Sequence, residues 1–517
     1  MSGVTQNKPP DMHRFLPDKT TCASAFSGLL LACAFPLADY TLLAWFGLVP
    51  LVLVMKNRPF KSGFVAGLVF FAVTLYWLNI VMTTYGHLPL AVSFFLYLLL
   101  AGYLALFWGS ATWAACRLKE FKGYSYALTF PVLWVGLEFL REFLLTGFPW
   151  ATIGYSQQAW LTVIQSADLF GVYGLSYLLL LSNAVLGESL LGPQRRLAKK
   201  YRVAPMIFTV ILILLNYGYG AWCLNQDLDA RSESLQAVVV QGNIPQDLKW
   251  QPENQLKTVN TYRELSLRAD RTGGSDLVVW PEAAMPFYFQ DGGRLADAIV
   301  ELPVETGASL LFGSPAYRRD PGGLRYLNSA FILSPDAQLL GRSDKIHLVP
   351  FGEYVPLGDF LPFVNKLVAG IGDYSPGEIN PLPIQGHQLG VLICYEVIFP
   401  ELAREYVRQG SDLLVNITND AWFGKSSAPW QHLAMARFRA IENRVWLARA
   451  ANTGISAFIS PSGRIVEQTG LFDTGLLVGK VGLGAQPGLY SQMGDLVPGS
   501  FIVISLLWLL KTRRRFL

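Results

Sequence analysis

"VLICYEVIFPELAREYVRQG" occupies positions 391–410. Three apolar residues lead into Cys394, Glu396 stands two places on, and Pro400 opens a segment that Gly410 closes. Proline in the first turn and glycine past the end are helix punctuation. The stretch therefore reads as a buried strand, a thiol and a helix. α/β folds place their sites at the carboxyl ends of strands. A helix N-terminus nearby also favours the thiolate, the reactive form of cysteine. A lone cysteine is nevertheless an ordinary small core residue, so Cys394 needs partners before it reads as a nucleophile.

The surroundings repeat the pattern. β-rich runs recur at "LQAVVVQGNI" (235–244), "SDLVVWPEAA" (275–284), "ASLLFGSPAY" (308–317), "LNSAFILSP" (327–335), "SDLLVNITND" (411–420) and "ISAFISPSG" (455–463), with helical stretches between several of them. Among these are the polar segment Gln251–Asp270, the segment 400–410 and "WQHLAMARFRAIEN" (430–443). Strands alternating with helices predict an α/β domain with central sheets over 225–490.

The rest of the chain has a different character. Of 517 residues, 52% are hydrophobic and only 15% charged, against about 25% charged in soluble domains. The apolar runs fill the first 225 residues and return at Leu496–Leu510. Spans are expected near 21–38, 41–55, 63–84, 88–116, 124–140, 161–191 and 203–224, and a last one at 496–510. The first two fall short of the ~20 residues a crossing helix needs. Basic residues collect on the cytoplasmic side of a membrane. Here they lie in the N-terminal tail (Lys8, Arg14, Lys19), after the second run (Lys56, Arg58, Lys61), around Arg117–Lys122, around Arg195–Arg202 and after residue 510. A hairpin broken near Pro36 and Asp39 keeps the first two clusters on one side. Eight spans result: a cytoplasmic tail at 1–20, seven helices in a membrane domain at 21–224, an outward-facing domain at 225–490, a C-terminal helix at 496–510 and a basic cytoplasmic tail at 511–517. No cleavable signal peptide is expected, since no small-residue cleavage site closes the first span.

Several classes are set aside. A net charge of +4 without a basic stripe argues against nucleic acid as a partner. Five cysteines without framework spacing do not predict disulfides. Five histidines never reach ligand spacing, so neither metal nor other cofactor is expected. Nothing demands an oligomer, and a monomer is expected.

Two further residues give Cys394 company. Glu282 ends the apolar run of "VVWPEAAMP", where a carboxylate is costly unless paired or functional. Such a setting tunes a general base. Lys345 follows the run at 327–335, with Glu353 eight residues on. A lysine there lowers a thiol pKa or donates to an oxyanion. Glu138, Arg141 and Glu142 share helical spacing, which predicts a local ion network.

"WPE", "K.HLVPFGEYVP", "CYE" and "NITNDAWF" resemble the nitrilase superfamily, whose Glu–Lys–Cys triad falls on Glu282, Lys345 and Cys394. Together with the N-terminal spans, "GFPWATIGYSQ" (147–157) and "QGNIPQDLKW" (241–250), almost the whole chain resembles the apolipoprotein N-acyltransferase family. The resemblance implies a polytopic α-helical membrane domain carrying a periplasmic α-β-β-α sandwich in the bacterial inner membrane. It implies an acyl chain moved from a membrane phospholipid, by way of a Cys394 thioester, to the α-amino group of a diacylated apolipoprotein. Glu353, Tyr395, Glu396 and Asn328 are then supporting residues, and Trp250 and Trp422 match family tryptophans that contact substrate or simply pack. Phe360, Phe363, Val364 and Leu367 follow an i, i+3, i+4, i+7 pattern inside the long connection 351–385. On this resemblance that apolar face is a lid resting on the bilayer, with Phe360 and Phe363 against substrate. A membrane-anchored amidase or hydrolase, with water as second nucleophile, is the alternative.

Overall fold

The computed structural model describes residues 18–191, 200–270, 274–321, 323–354 and 374–513. Among them, twelve strands form two six-stranded sheets. The first contains β1 (Ser234–Gln241), β2 (Leu277–Val279), β3 (Ser309–Asp320), β4 (Gly323–Leu333), β5 (Leu339–Asp344) and β12 (Gly475–Gly482), in the order β12-β1-β2-β3-β4-β5. The second contains β6 (Leu382–Ile384), β7 (His387–Ile393), β8 (Leu413–Thr418), β9 (Leu447–Ala451), β10 (Ala457–Ile459) and β11 (Ile465–Gln468), in the order β11-β10-β9-β8-β7-β6.

Each sheet has a parallel centre, β1-β2-β3 in one and β7-β8-β9 in the other. Parallel neighbours need crossovers. Helices Pro252–Asp270, Arg294–Thr306, Pro400–Arg408 and Ala428–Asn443 supply them. Gly410, at φ +93°, makes the turn after the third, a conformation in which a Cβ is disfavoured.

Strand periodicity then sorts the side chains into layers. Leu235, Ala237 and Val239 of β1 meet Val391, Ile393, Val415 and Ile417 between the sheets. Val238 and Val240, on the other face, pack on Tyr262 and Ile299 of the first two crossover helices. Leu392 and Leu414 turn to the other pair, where Tyr406 and Phe438 join Trp150, Tyr155 and Val172 of the N-terminal half in one core. The layers are α-β-β-α, and one helix layer is shared with the N-terminal helices. Each large apolar side chain buried there contributes about 1.5–3 kcal/mol, so the two halves are joined by a core rather than a tether.

Among the described residues of the N-terminal half, three helices are long and apolar enough to cross a membrane: Leu90–Lys122, Ala167–Leu190 and Val203–Asn225. Pro59–Thr74 and Leu78–Tyr85 are a fourth candidate, bent by 58°. Lys19–Ala32, Thr41–Val54, Tyr126–Leu140 and Leu496–Thr512 are apolar but shorter. The expected runs at 88–116, 161–191 and 203–224 thus coincide with long helices and that at 63–84 with the bent pair, while length alone does not make the other four crossings. Some of these helices approach each other closely. A Cβ on Gly63 would fall 2.4 Å from the Trp108 carbonyl oxygen, so only glycine lets these backbones meet.

Glu138, Arg141 and Glu142 are buried, and their hydrogen bonds run outward. Glu138 accepts from the Ile153 amide (3.1 Å), Arg141 donates to Thr152 Oγ1 (3.0 Å) and Glu142 accepts from the Tyr173 hydroxyl (2.6 Å). Glu138 and Arg141 thereby fix the stretch 147–157, and Glu142 holds Tyr173. The expected lid residues Phe360, Phe363, Val364 and Leu367 lie outside the described residues, as do Lys8, Arg14 and Arg195.

Candidate active site

Three strand ends meet beside the gap between the sheets. Glu282 lies just past β2, and Ala283 turns the chain sharply at φ +46°. β3 crosses closely behind. A Cβ on Gly313 would come 2.8 Å from the Glu282 Cα. Lys345 is the first residue past β5, and its amide donates to the Asn328 carbonyl on β4 (2.8 Å). Cys394 is the first residue past β7 and begins a 3₁₀ turn, Cys394–Ile398. Its φ of +54° is strained for a residue with a side chain.

The carboxylates and the ammonium form one network. Lys345 Nζ donates to Glu353 Oε1 (2.9 Å) and Glu282 Oε1 (3.3 Å). Asn328 Nδ2 donates to the same two oxygens, at 2.9 and 2.8 Å. The Asn419 amide donates to Glu282 Oε2 (3.0 Å), and the Val349 amide to Glu353 Oε2 (2.8 Å). Lys345 is 1% exposed. Burial opposes its charge, yet Glu353 and then Glu282 hold its pKa well above the ordinary value. Two of its three N–H groups are engaged in these bonds, which leaves one to donate elsewhere.

Cys394 has the opposite setting. Burial first, then the Glu282 charge, push the thiol up, while Lys345 pulls it down. This setting favours the thiol form, and a thiol becomes an effective nucleophile when a neighbouring base takes its proton.

Glu396 does not join the network. Its Oε2 accepts from the Ile393 amide (2.6 Å), and its Oε1 from the amides of Ile346 (2.5 Å) and His347 (3.1 Å). Burial pushes its pKa up to about 7. It braces the turn at Cys394 to the loop after Lys345. The Tyr395 hydroxyl donates to the Gly147 carbonyl of the N-terminal half (3.4 Å), and its ring packs on Phe399. Trp422 meets Tyr85 edge-on at 5.0 Å, and the Tyr85 hydroxyl donates to the Ala421 carbonyl (2.8 Å). Trp250 stands apart at 37% exposure.

Some neighbours escape a reading of the sequence. Lys249 is wholly buried, donates to the Glu282 carbonyl (3.3 Å), and is lowered to about 8 by burial. It lies within "QGNIPQDLKW", but a lysine beside a tryptophan reads as surface. Asp420, His432 and Arg449 form a buried cluster behind Cys394. Arg449 sits in β9, "LARAA", whose alanines give no strand signal. Among the described residues no His/Cys/Asp/Glu group is arranged to hold a metal.

Residues 236–485 match the carbon-nitrogen hydrolase family, and residues 27–185 match the apolipoprotein N-acyltransferase N-terminal domain. The apolipoprotein N-acyltransferase of Geobacter metallireducens is 48% identical over 501 residues, covering 95% of this chain and 96% of its own. That of Pasteurella multocida is 34% identical over 489 residues, covering 91% of each. An amidase from Nesterenkonia sp. of known structure is 21% identical, with a TM-score of 0.38, over 52% of this chain and 95% of its own. The C-terminal half is thus a carbon-nitrogen hydrolase domain joined to an N-terminal domain of apolipoprotein N-acyltransferase type. The chain belongs to the apolipoprotein N-acyltransferase family.

Proposed function

We propose that the chain transfers an acyl group from a membrane phospholipid to the free α-amino group of a diacylated lipoprotein, with Glu282, Lys345 and Cys394 as the catalytic triad. The observation that carries this is the junction of one buried carboxylate–ammonium network with a strand-end thiol, on a domain sharing its core with apolar helices.

Cys394 Sγ attacks the ester carbonyl carbon as Glu282 takes the thiol proton. The unused N–H of Lys345 donates to the developing oxyanion. The carbon–oxygen bond breaks, Glu282 returns the proton to the leaving lysophospholipid, and a thioester remains. The amine of the lipoprotein's N-terminal diacylglyceryl-cysteine then attacks that carbonyl and gives its proton to Glu282. The carbon–sulfur bond breaks, the thiol is reprotonated, and an amide leaves. Both lipids use one site in turn, so the kinetics are ping-pong. Glu353 and Asn328 orient Lys345 and Glu282, Trp250, Phe360 and Phe363 contact the lipids, and Trp422, a lipid-contact candidate by the family match, packs on Tyr85 instead.

Eight crossings anchor the chain in the bacterial inner membrane: seven within 21–224 and one at 496–510. The catalytic domain, 225–490, lies on the periplasmic side, the tails at 1–20 and 511–517 lie in the cytoplasm, and the protein works as a monomer. The bend of 58° between Pro59–Thr74 and Leu78–Tyr85 and the shared core support short, packed crossings.

Mass spectrometry of the detergent-purified chain after incubation with a defined phospholipid tests this. An acyl group is expected on the Cys394 peptide, sensitive to hydroxylamine, and moving to the amine of an added diacylated lipopeptide. Decay to free fatty acid alone identifies a hydrolase instead. No adduct on folded protein removes Cys394 as the nucleophile.

A further inference from the structure

The nucleophile's own carbonyl is held from behind. His432, on the helix Ala428–Asn443, places Nε2 3.2 Å from the Cys394 carbonyl oxygen. A carbonyl only accepts, so Nε2 carries the proton. Arg449 Nη2 lies 3.0 Å from Nδ1, and an arginine only donates, so Nδ1 accepts. Both contacts require the same neutral tautomer. Asp420 Oδ1 accepts a hydrogen bond from the Thr418 hydroxyl (2.9 Å) and also lies 3.0 Å from Nδ1, and Asp420 Oδ2 pairs with Arg449 (2.7 Å). One carboxylate and one guanidinium balance around an uncharged ring, all at 0% exposure. Burial and then Arg449 keep the imidazole below its ordinary pKa, in agreement with that tautomer.

The far side of the ring belongs to the N-terminal half. Trp150, in "GFPWATIGYSQ", stacks on His432 with centroids 5.6 Å apart and planes at 25°. Its indole N–H donates to Gln431 on the same helix (2.7 Å). One continuous chain of contacts therefore runs from Trp150 through His432 to the strained backbone of Cys394. A left-handed non-glycine residue persists only where its surroundings fix it, and this contact is a fixing one.

We infer that His432 is a positioning residue for Cys394, and that Trp150 sets its ring, so that the membrane-side stretch 147–157 tunes the nucleophile as well as anchoring the domain. This rests on the acyl-enzyme reading. His432 touches neither lipid nor the reacting atoms. Its donor holds the Cys394 peptide, and through it the direction of the Cα–Cβ bond. A displacement of about 1 Å at a reacting atom lowers a rate by roughly 100-fold.

The test uses the full chain in detergent and follows formation of the Cys394 acyl adduct from a defined phospholipid, with thermal unfolding alongside. His432→Phe retains the stacked ring but has no donor, and His432→Gln restores one. We expect His432→Phe to melt near the wild type but to acylate about 10- to 100-fold more slowly at saturating phospholipid, with an unchanged KM, and His432→Gln to recover part of that rate. Trp150→Leu, which keeps His432 but removes its stacking partner, is the second variant, expected to slow acylation about 10-fold in folded protein by the same loss of alignment. Acylation at the wild-type rate by folded His432→Phe or folded Trp150→Leu overturns the assignment. Equal slowing by Phe and Gln with equal loss of stability also overturns it, in favour of packing. Absence of an adduct in the wild type instead defeats the acyl-enzyme reading itself, so the two failures are distinct.

Discussion

Glu396 Oε1 lies 2.5 Å from the amide nitrogen of Ile346, so the residue two places after Cys394 grips the chain one place after Lys345. Cys394 and Lys345 follow strands of different sheets, and this carboxylate spans the join. The role differs from direct participation, because all three of its hydrogen bonds go to backbone amides.

Glu396→Gln tests that role. The variant has one acceptor oxygen where the carboxylate has two, so a buried amide loses its partner, at about 1–3 kcal/mol. The wild type carries a pH signature as well. Burial raises the folded pKa of Glu396 to about 7, above its ordinary value. The folded state therefore binds the extra proton between that ordinary value and about 7, and the contribution of this group to stability falls as pH rises through that window. Thermal unfolding at pH 5 and pH 7.5 should show a decline in the wild type that is smaller in Glu396→Gln.

Lys345→Met gives a larger effect. Removing the ammonium leaves Glu282 and Glu353 buried and facing each other, and breaking such a set costs about 3–5 kcal/mol. Uncompensated buried carboxylates prefer to be protonated. The loss should be largest at neutral pH and smaller toward pH 5, measured as melting temperature against pH. The acyl adduct on Cys394 should vanish at every pH. A variant as stable as the wild type at pH 7.5 would show that Lys345 is not the counter-charge for this pair.

Asn328 divides its two N–H donors between Glu282 and Glu353, and no other described side chain donates to both except Lys345. Asn328→Asp puts a third carboxylate where a donor stood. The acylation rate should fall more than 100-fold, since each lost bond to a charged group is worth about 1.5–3 kcal/mol and repulsion adds to it. Asn328→Ala should fall less. Equal rates for Asp and Ala would mean that charge at this position is irrelevant.

Much of this arrangement is legible in the sequence because strand ends announce themselves. "VVWPE" and "VLICYE" are apolar runs stopped by polar residues, and both place their polar residue at the site. Short strands of small residues leave no such trace. β9 is "LARAA", and its Arg449 belongs to the cluster behind Cys394. The helix of His432 is visible, but its hydrogen bond to a residue 38 positions away is not. Membrane crossings suffer a related loss. Hydropathy marks where apolar residues lie, but not where a bend such as that of 58° divides a run into two helices.

The two tryptophans matched to the family should separate in their behaviour. Trp422 packs on Tyr85, whose hydroxyl is bonded to the Ala421 carbonyl, so it ties the catalytic domain to the N-terminal helices. Trp422→Ala removes an aromatic pair worth about 0.5–1.5 kcal/mol beyond the area it buries, and should lower the melting temperature of the whole chain. Trp250 is 37% exposed at the end of the short helix Gln246–Lys249, whose Lys249 reaches the Glu282 carbonyl. An exposed side chain away from core features changes stability within about 0.5 kcal/mol. Trp250→Ala should therefore melt like the wild type. If Trp250 contacts lipid, its loss appears as a raised KM for phospholipid or lipopeptide, and lipid should protect the wild-type indole fluorescence from a soluble quencher. A lowered melting temperature with unchanged KM would assign Trp250 to packing instead.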